Sequence, residues 1–235
     1  MNKYIFIIFY ALNVFGFSST VSQITFTEVA DYGVYSDELG IVNGKKWQYS
    51  GKYKGHPFWK DDDIFQGEVT FNGRNFQNLN LKLDLFHQEL ILFKKINDET
   101  IAIKLNRNFI EDFILEESGN AVKSRFLCMK LPGIEGINFY QLIYDGNTKC
   151  FIHHKKSVNN EVTGNYLGKY LYQPVIYINT GNQYSVCKNK KSFLRLFGGQ
   201  RKILRAYMRK NKLGINARYP EEIAQVLAFY DSLNQ

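Results

Sequence analysis

The stretch Asn78-Leu79-Asn80-Leu81-Lys82-Leu83-Asp84-Leu85 decides the fold class. Leucine alternates with a polar residue throughout, so all these leucines share one face of a strand, which no helix can achieve. Just upstream, Val69 and Phe71 alternate with polar neighbours and run into Asn72-Gly73, a two-residue hairpin signature. Outward from there the same grammar repeats. Residues 89–93 and 100–105 read as strands joined through Asn97-Asp98-Glu99, and 109–115 and 121–129 flank a turn at 116–120. Residues 138–144 and 149–154 flank Asp145-Gly146-Asn147, and 170–178 and 183–187 flank Thr180-Gly181-Asn182. Short strands with turn signals at this spacing predict an antiparallel meander, either an open curled sheet or a barrel. Pro174 inside the 170–178 run predicts an edge or bulge there.

After Cys187 the period changes. Phe193, Leu196 and Phe197 have helical spacing, and Gly198-Gly199 breaks that segment. Ile203, Leu204, Tyr207 and Met208 form the apolar stripe of a second helix. Pro220-Glu221-Glu222 is a helix start, followed by Ile223, Val226, Leu227 and Tyr230 at i, i+3, i+4, i+7. The expected class is therefore α+β: mainly antiparallel sheet over 67–187, then a basic helical unit over 188–235 packed on it. Residues 23–66, with Trp47, Tyr49, Tyr53, Phe58 and Trp59, read as an irregular aromatic-rich arm with one or two short strands.

The N-terminus reads as a signal peptide over residues 1–22. Lys3 precedes an apolar run from 4 to 17, and Thr20-Val21-Ser22 fits the small-x-small pattern that precedes cleavage. About 14 apolar residues at roughly 1.5 Å each span about 21 Å, short of the roughly 30 Å hydrocarbon core. The expectation is a periplasmic or secreted protein with no transmembrane segment in the mature chain. Cys128, Cys150 and Cys187 are odd in number and widely spaced. Buried thiols or one disulfide of unassigned pairing both fit an exported chain, whereas the close ligand pairs of a zinc site are missing.

Three stretches carry a resemblance. They are Asn43-Gly44 with 54–59 and Gly67-Glu68-Val69, the strand pair 79–92, and the tail segments 190–193, 210–213 and 221–223. Together they resemble a group of uncharacterised secreted β-rich proteins of Bacteroidetes-type bacteria. That group has no assigned catalytic residues, so the resemblance implies export and a β-then-helix layout only.

Charge segregation is the strongest functional signal. The chain carries a formal +8, yet residues 188–218 hold six Lys and five Arg with no acid, leaving the rest of the mature chain net negative. Such asymmetry points to a polyanion or partner surface at Arg201, Arg205, Arg209 and Lys210, facing an anionic envelope component or an acidic protein; export points away from nucleic acid. The competing reading is a solvated helix face docked beside its own acidic remainder. A second hypothesis places a hydrolase acid–base site at Asp84, His87 and Glu89. It competes with plain turn polarity. A third uses Trp47 and Trp59 as a sugar-stacking platform, against their packing as core. His153 and His154, as strand neighbours, are expected to face opposite sides and not share a proton or metal. Asp61-Asp62-Asp63 lacks the glycine and terminal acid of a calcium loop. No cofactor is implied, since no P-loop, dinucleotide, G-x-S-x-G or H-E-x-x-H motif occurs. A non-enzymatic binding protein is the preferred expectation.

Overall fold

Asn72 and Gly73 both adopt positive φ, 51° and 74°, the two-residue turn whose twist matches paired strands. They join β3 (Phe65–Phe71) to β4 (Arg74–Asp84) with Phe71 opposite Arg74. In this computed structural model, residues 34–35, 44–47, 51–96, 99–117, 122–162, 164–181 and 183–233 are described. The signal peptide expected at 1–22 lies outside the described residues.

The remaining strands are β1 (Val34–Tyr35), β2 (Gly44–Lys46), β5 (Glu89–Ile96), β6 (Glu99–Leu105), β7 (Ile110–Glu116), β8 (Lys123–Met129), β9 (Asn138–Asp145), β10 (Lys149–His153), β11 (Lys156–Asn159), β12 (Lys169–Tyr172), β13 (Val175–Asn179) and β14 (Tyr184–Cys187). Among the described residues they form one large antiparallel sheet in the order β1-β2-β6-β5-β4-β3-β7-β8-β9-β10-β13-β14, with β11 and β12 as a separate ribbon. The sheet is curled and not closed. Its curl brings the end of β10 against the β4–β5 turn, where Gln88 Nε2 donates to the His154 carbonyl at 2.9 Å and the Lys156 N–H donates to the Leu85 carbonyl at 3.1 Å.

Alternation fixes the faces. Leu81, Leu83, Val69, Phe113, Leu115 and Phe126 fill the concave side as one core, each burial contributing about 1.5–3 kcal/mol. Phe113 and Phe126, cross-strand partners, stack at 4.8 Å with rings 5° apart. Gly67 is required in β3, because a Cβ there would lie 2.2 Å from the Ile114 carbonyl oxygen. On the opposite face Tyr140, Phe151, Tyr177 and Leu131 make a smaller cluster.

The helical unit comprises α1 (Lys190–Leu196), α2 (Arg201–Lys210) and α3 (Pro220–Ser232). Asn189 and Ser192 form a reciprocal capping box at the start of α1. The Gly198–Gln200 break is a 3-10 turn. Phe193, Leu204, Met208, Ile223 and Val226 pack on Cys150, Ile152, Ile176 and Ile178 of the sheet, a second core. Asp231, 4% exposed at the end of α3, latches this unit to the β9–β10 turn. It accepts from Thr148 N at 3.0 Å, Thr148 Oγ1 at 2.8 Å and Tyr144 Oη at 3.0 Å. No helix among the described residues is long and apolar enough to cross a membrane.

Three local expectations change. Residues 170–178 are two strands, because Gln173-Pro174 interrupts the pairing: β12 joins β11, and β13 returns to β10. Lys82 and Asp84 are buried although they alternate with the inward leucines. The arm at Pro57–Trp59 covers them: Trp59 N–H donates to Leu83 O and Leu85 N–H to Pro57 O, each at 2.9 Å, and Phe58 lies 4.3 Å beneath the Lys82 ammonium. Ile203, expected on the buried stripe of α2, is 51% exposed at its flank.

Candidate functional sites

Because Leu204 and Met208 point into the core, α2 turns its basic side outward. Arg201, Arg205, Arg209 and Lys210 are all exposed. Arg205 and Arg209 join Lys190, Lys191 and Lys212 around a groove of about 480 Å³ between α1 and α2, with Leu194, Met208 and Leu213 at its base. No acid lines it. Among the described residues none of these cations forms an ion pair, whereas Lys60, Lys104 and Arg125 on the sheet pair with Glu117, Glu89 and Asp112. The four bases that charge segregation singles out are thus exposed, and the groove between the helices is a feature the sequence does not mark.

The Asp84, His87, Glu89 group is divided. Asp84 is fully buried and caps its own turn, accepting from the Phe86 and His87 N–H groups at 2.8 and 2.9 Å while Oδ2 meets His87 Nδ1 at 2.8 Å. Glu89 turns to Lys104 instead, at 2.8 Å. Trp59 is 3% exposed, set edge-on to Phe126, while Trp47 packs on Phe58, so the two indoles present no shared open platform. Asp62 bonds Lys82 at 2.5 Å, and no cluster of metal-ligating side chains occurs among the described residues. Cys128, Cys150 and Cys187 are free thiols. Cys150 and Cys187 flank β13 from opposite sides, opposite Ile178 and Ile176, beyond the roughly 7 Å Cα reach of a disulfide. Burial raises the Cys150 thiol above its usual range.

A cleft of about 630 Å³ opens where the two concave-side cores meet, and sequence reasoning had missed it. Its floor is a chain of four side chains. Gln141 on β9 donates through Nε2 to Ser124 Oγ of β8 at 3.0 Å, leaving its Oε1 to accept from His154 at 2.7 Å. His154 Nε2 therefore carries the proton, and its Nδ1 accepts the Tyr172 hydroxyl at 2.5 Å. Both ring nitrogens are satisfied with the imidazole neutral. Burial first, then the charges of His153 and Lys60, lowers the His154 pKa to about 3, and burial lifts Tyr172 to about 12 against the nearby Arg218. The adjacent His153 bonds Gln88 at 3.0 Å, its pKa lowered to about 4 mainly by burial. The two histidines serve separate partners, as strand alternation requires. The available signal for the cleft was polar Ser124 and Gln141 standing at inward phase among Phe126 and Phe139.

Trp59, Leu85, Ile143, Ala217 and Ala224 supply apolar walls, so the helical unit closes one side. The rim is charged. Lys60 pairs with Glu117, and Lys123 with Glu116 at 2.5 Å and Glu68 at 3.3 Å. Lys156 donates to the His56 carbonyl at 2.8 Å, its pKa lowered by burial. Among the described residues, neither Lys156 nor Arg218 has a carboxylate within ion-pair distance.

Compared with known proteins, the chain matches no family model, no curated sequence and no solved structure. None of these comparisons links the chain to secreted Bacteroidetes-type proteins.

Proposed function

We propose that this is an exported binding protein without catalytic chemistry of its own, which holds an anionic envelope component on the cationic face of α1 and α2. One observation carries the reading: Lys190, Lys191, Arg205, Arg209 and Lys212 converge on a groove that no acid lines among the described residues, with Arg201 and Lys210 exposed nearby. Like charges gathered without counter-charges repel, and the apolar stripe that docks α2 does not need them. Several cations around one concavity raise the local potential by several kT and draw in a dense polyanion. The leader expected over 1–22 from its apolar run and small-x-small pattern supports a periplasmic or secreted address. Acidic polysaccharide and anionic lipid headgroups are the polyanions such an address offers.

Heparin, used as a generic polyanion, tests the reading by titration at rising ionic strength. Affinity is expected to fall at least tenfold between about 50 and about 300 mM salt, as the Debye length shrinks to a few ångströms. Absence of binding at low salt, or binding indifferent to salt, refutes it.

A further inference from the structure

The cleft floored by Ser124, Gln141, His154 and Tyr172 shares no lining residue with the α1–α2 groove. We propose that it takes a small organic anion with a flat or branched apolar body, its anionic group at the Arg218–Lys156 end and a neutral acceptor reaching Ser124. The volume of about 630 Å³ suits such a molecule.

The residues specify each part of that ligand. Trp59, Leu85, Ile143 and Ala224 offer an apolar wall to its body. The hydrogen-bond chain runs in one direction, Tyr172 to His154 to Gln141 to Ser124, so every internal donor and acceptor is spent except at the ends. At one end the Ser124 O–H stays available as a donor, together with the second Gln141 N–H. At the other, the Tyr172 oxygen keeps its lone pairs. A neutral floor of this kind receives a carbonyl or hydroxyl without burying charge against charge. The ligand's charge belongs at the rim. Of four rim cations, Lys60 and Lys123 already hold carboxylates, while among the described residues Lys156 and Arg218 hold none, and Glu221 is the lining acid outside an ion pair. Sequence-distant elements meet here, with β8, β9, the β10 end, β12 and the segment leading into α3 each giving one wall. The cleft therefore exists only in the docked fold.

The test uses 8-anilinonaphthalene-1-sulfonate as the anionic probe and N-phenyl-1-naphthylamine as its neutral counterpart. Energy transfer from Trp59 in a Trp47→Phe protein reports occupancy, since the chain has two tryptophans. One saturable site is expected, with the neutral probe at least fivefold weaker. Ala224→Phe fills the cleft from α3 and should abolish the transfer with the circular dichroism spectrum unchanged. Arg218→Ala, at an exposed position, should weaken the sulfonate about tenfold and leave the neutral probe unaffected. Charge reversal at Arg201, Arg205, Arg209 and Lys210 should leave this site intact, which separates it from the polyanion surface. Absence of a saturable site overturns the proposal, as does binding that survives Ala224→Phe. Should that variant not fold, an unchanged sulfonate affinity in Arg218→Ala overturns it.

Discussion

Replacing Asp231 by Ala should loosen the helical unit from the sheet, and the size of the effect can be worked from its contacts. Three donors converge on the carboxylate at 2.8–3.0 Å, from Thr148 N–H, Thr148 Oγ1 and Tyr144 Oη. The two hydroxyls can rotate toward other acceptors. The Thr148 N–H cannot, and with Thr148 2% exposed it loses water as an alternative. An orphaned buried donor costs about 1–3 kcal/mol, and hydrogen bonds to a charged acceptor contribute about 1.5–3 kcal/mol each. Against this, the variant no longer desolvates a carboxylate, nor places one at a helix C-terminus, where it is unfavourable by about 0.3–1 kcal/mol. The net expectation is a loss of about 3 kcal/mol. Urea unfolding followed by circular dichroism should then show a midpoint lowered by about 1.5 M if the slope is about 2 kcal/mol/M. Gly146→Ala probes the same latch from the other side, because its new Cβ would lie 2.4 Å from Asp231 Oδ2. The two substitutions should be strongly non-additive. A loss under about 1 kcal/mol for Asp231→Ala, or full additivity of the pair, would refute the latch.

Stability should also depend on pH through His153 and His154, which fold as neutral rings with pKa values lowered to about 4 and about 3. The unfolded chain protonates both near 6.5 and so binds more protons than the native state below that pH. Stability is thus complete above about pH 6.5 and falls as pH drops toward 4, by at most about 2.7 kcal/mol per pH unit. A flat stability curve across that window, or one unchanged by His154→Gln, would count against the neutral chain. Gly168→Ala should lower the melting temperature by more than about 5 °C. At φ +157° its Cβ would fall 1.7 Å from the Asn159 carbonyl oxygen, splitting the β11–β12 ribbon; a wild-type melting temperature would show that the ribbon yields at little cost.

Most of the fold was legible because period two and turn chemistry are local. Asn72-Gly73 set its hairpin, the Leu79–Leu85 alternation set the faces of β4, and Pro220-Glu221-Glu222 opened α3. What escaped was non-local. Lys-Ser-Val-Asn at 156–159 carries no alternation signal, and its strand exists because β12 pairs with it. Lys82 and Asp84 looked solvent-facing, since nothing in their own strand reveals that Phe58 lies over them. The cationic surface was readable because eleven bases without an acid need no fold to be noticed. The cleft was not, because Ser124, Gln141, His154 and Tyr172 come from four places and meet only when the sheet curls. His87, beside Asp84 and Glu89 in sequence, looked more chemical than His154, yet Glu89 pairs elsewhere and His154 is the histidine that sits in a cavity.

One measurement separates the α1–α2 surface from overall basicity as the seat of polyanion binding. Heparin affinity is compared between two variants carrying the same change in net charge. One reverses Arg201, Arg205, Arg209 and Lys210 to Glu; the other reverses Lys52, Arg74, Lys130 and Lys169, exposed bases of the sheet half. The helical set is expected to lose at least a hundredfold in affinity while the sheet set loses only a few-fold. Equal losses in the two variants would mean that net charge, and not the α1–α2 surface, does the binding.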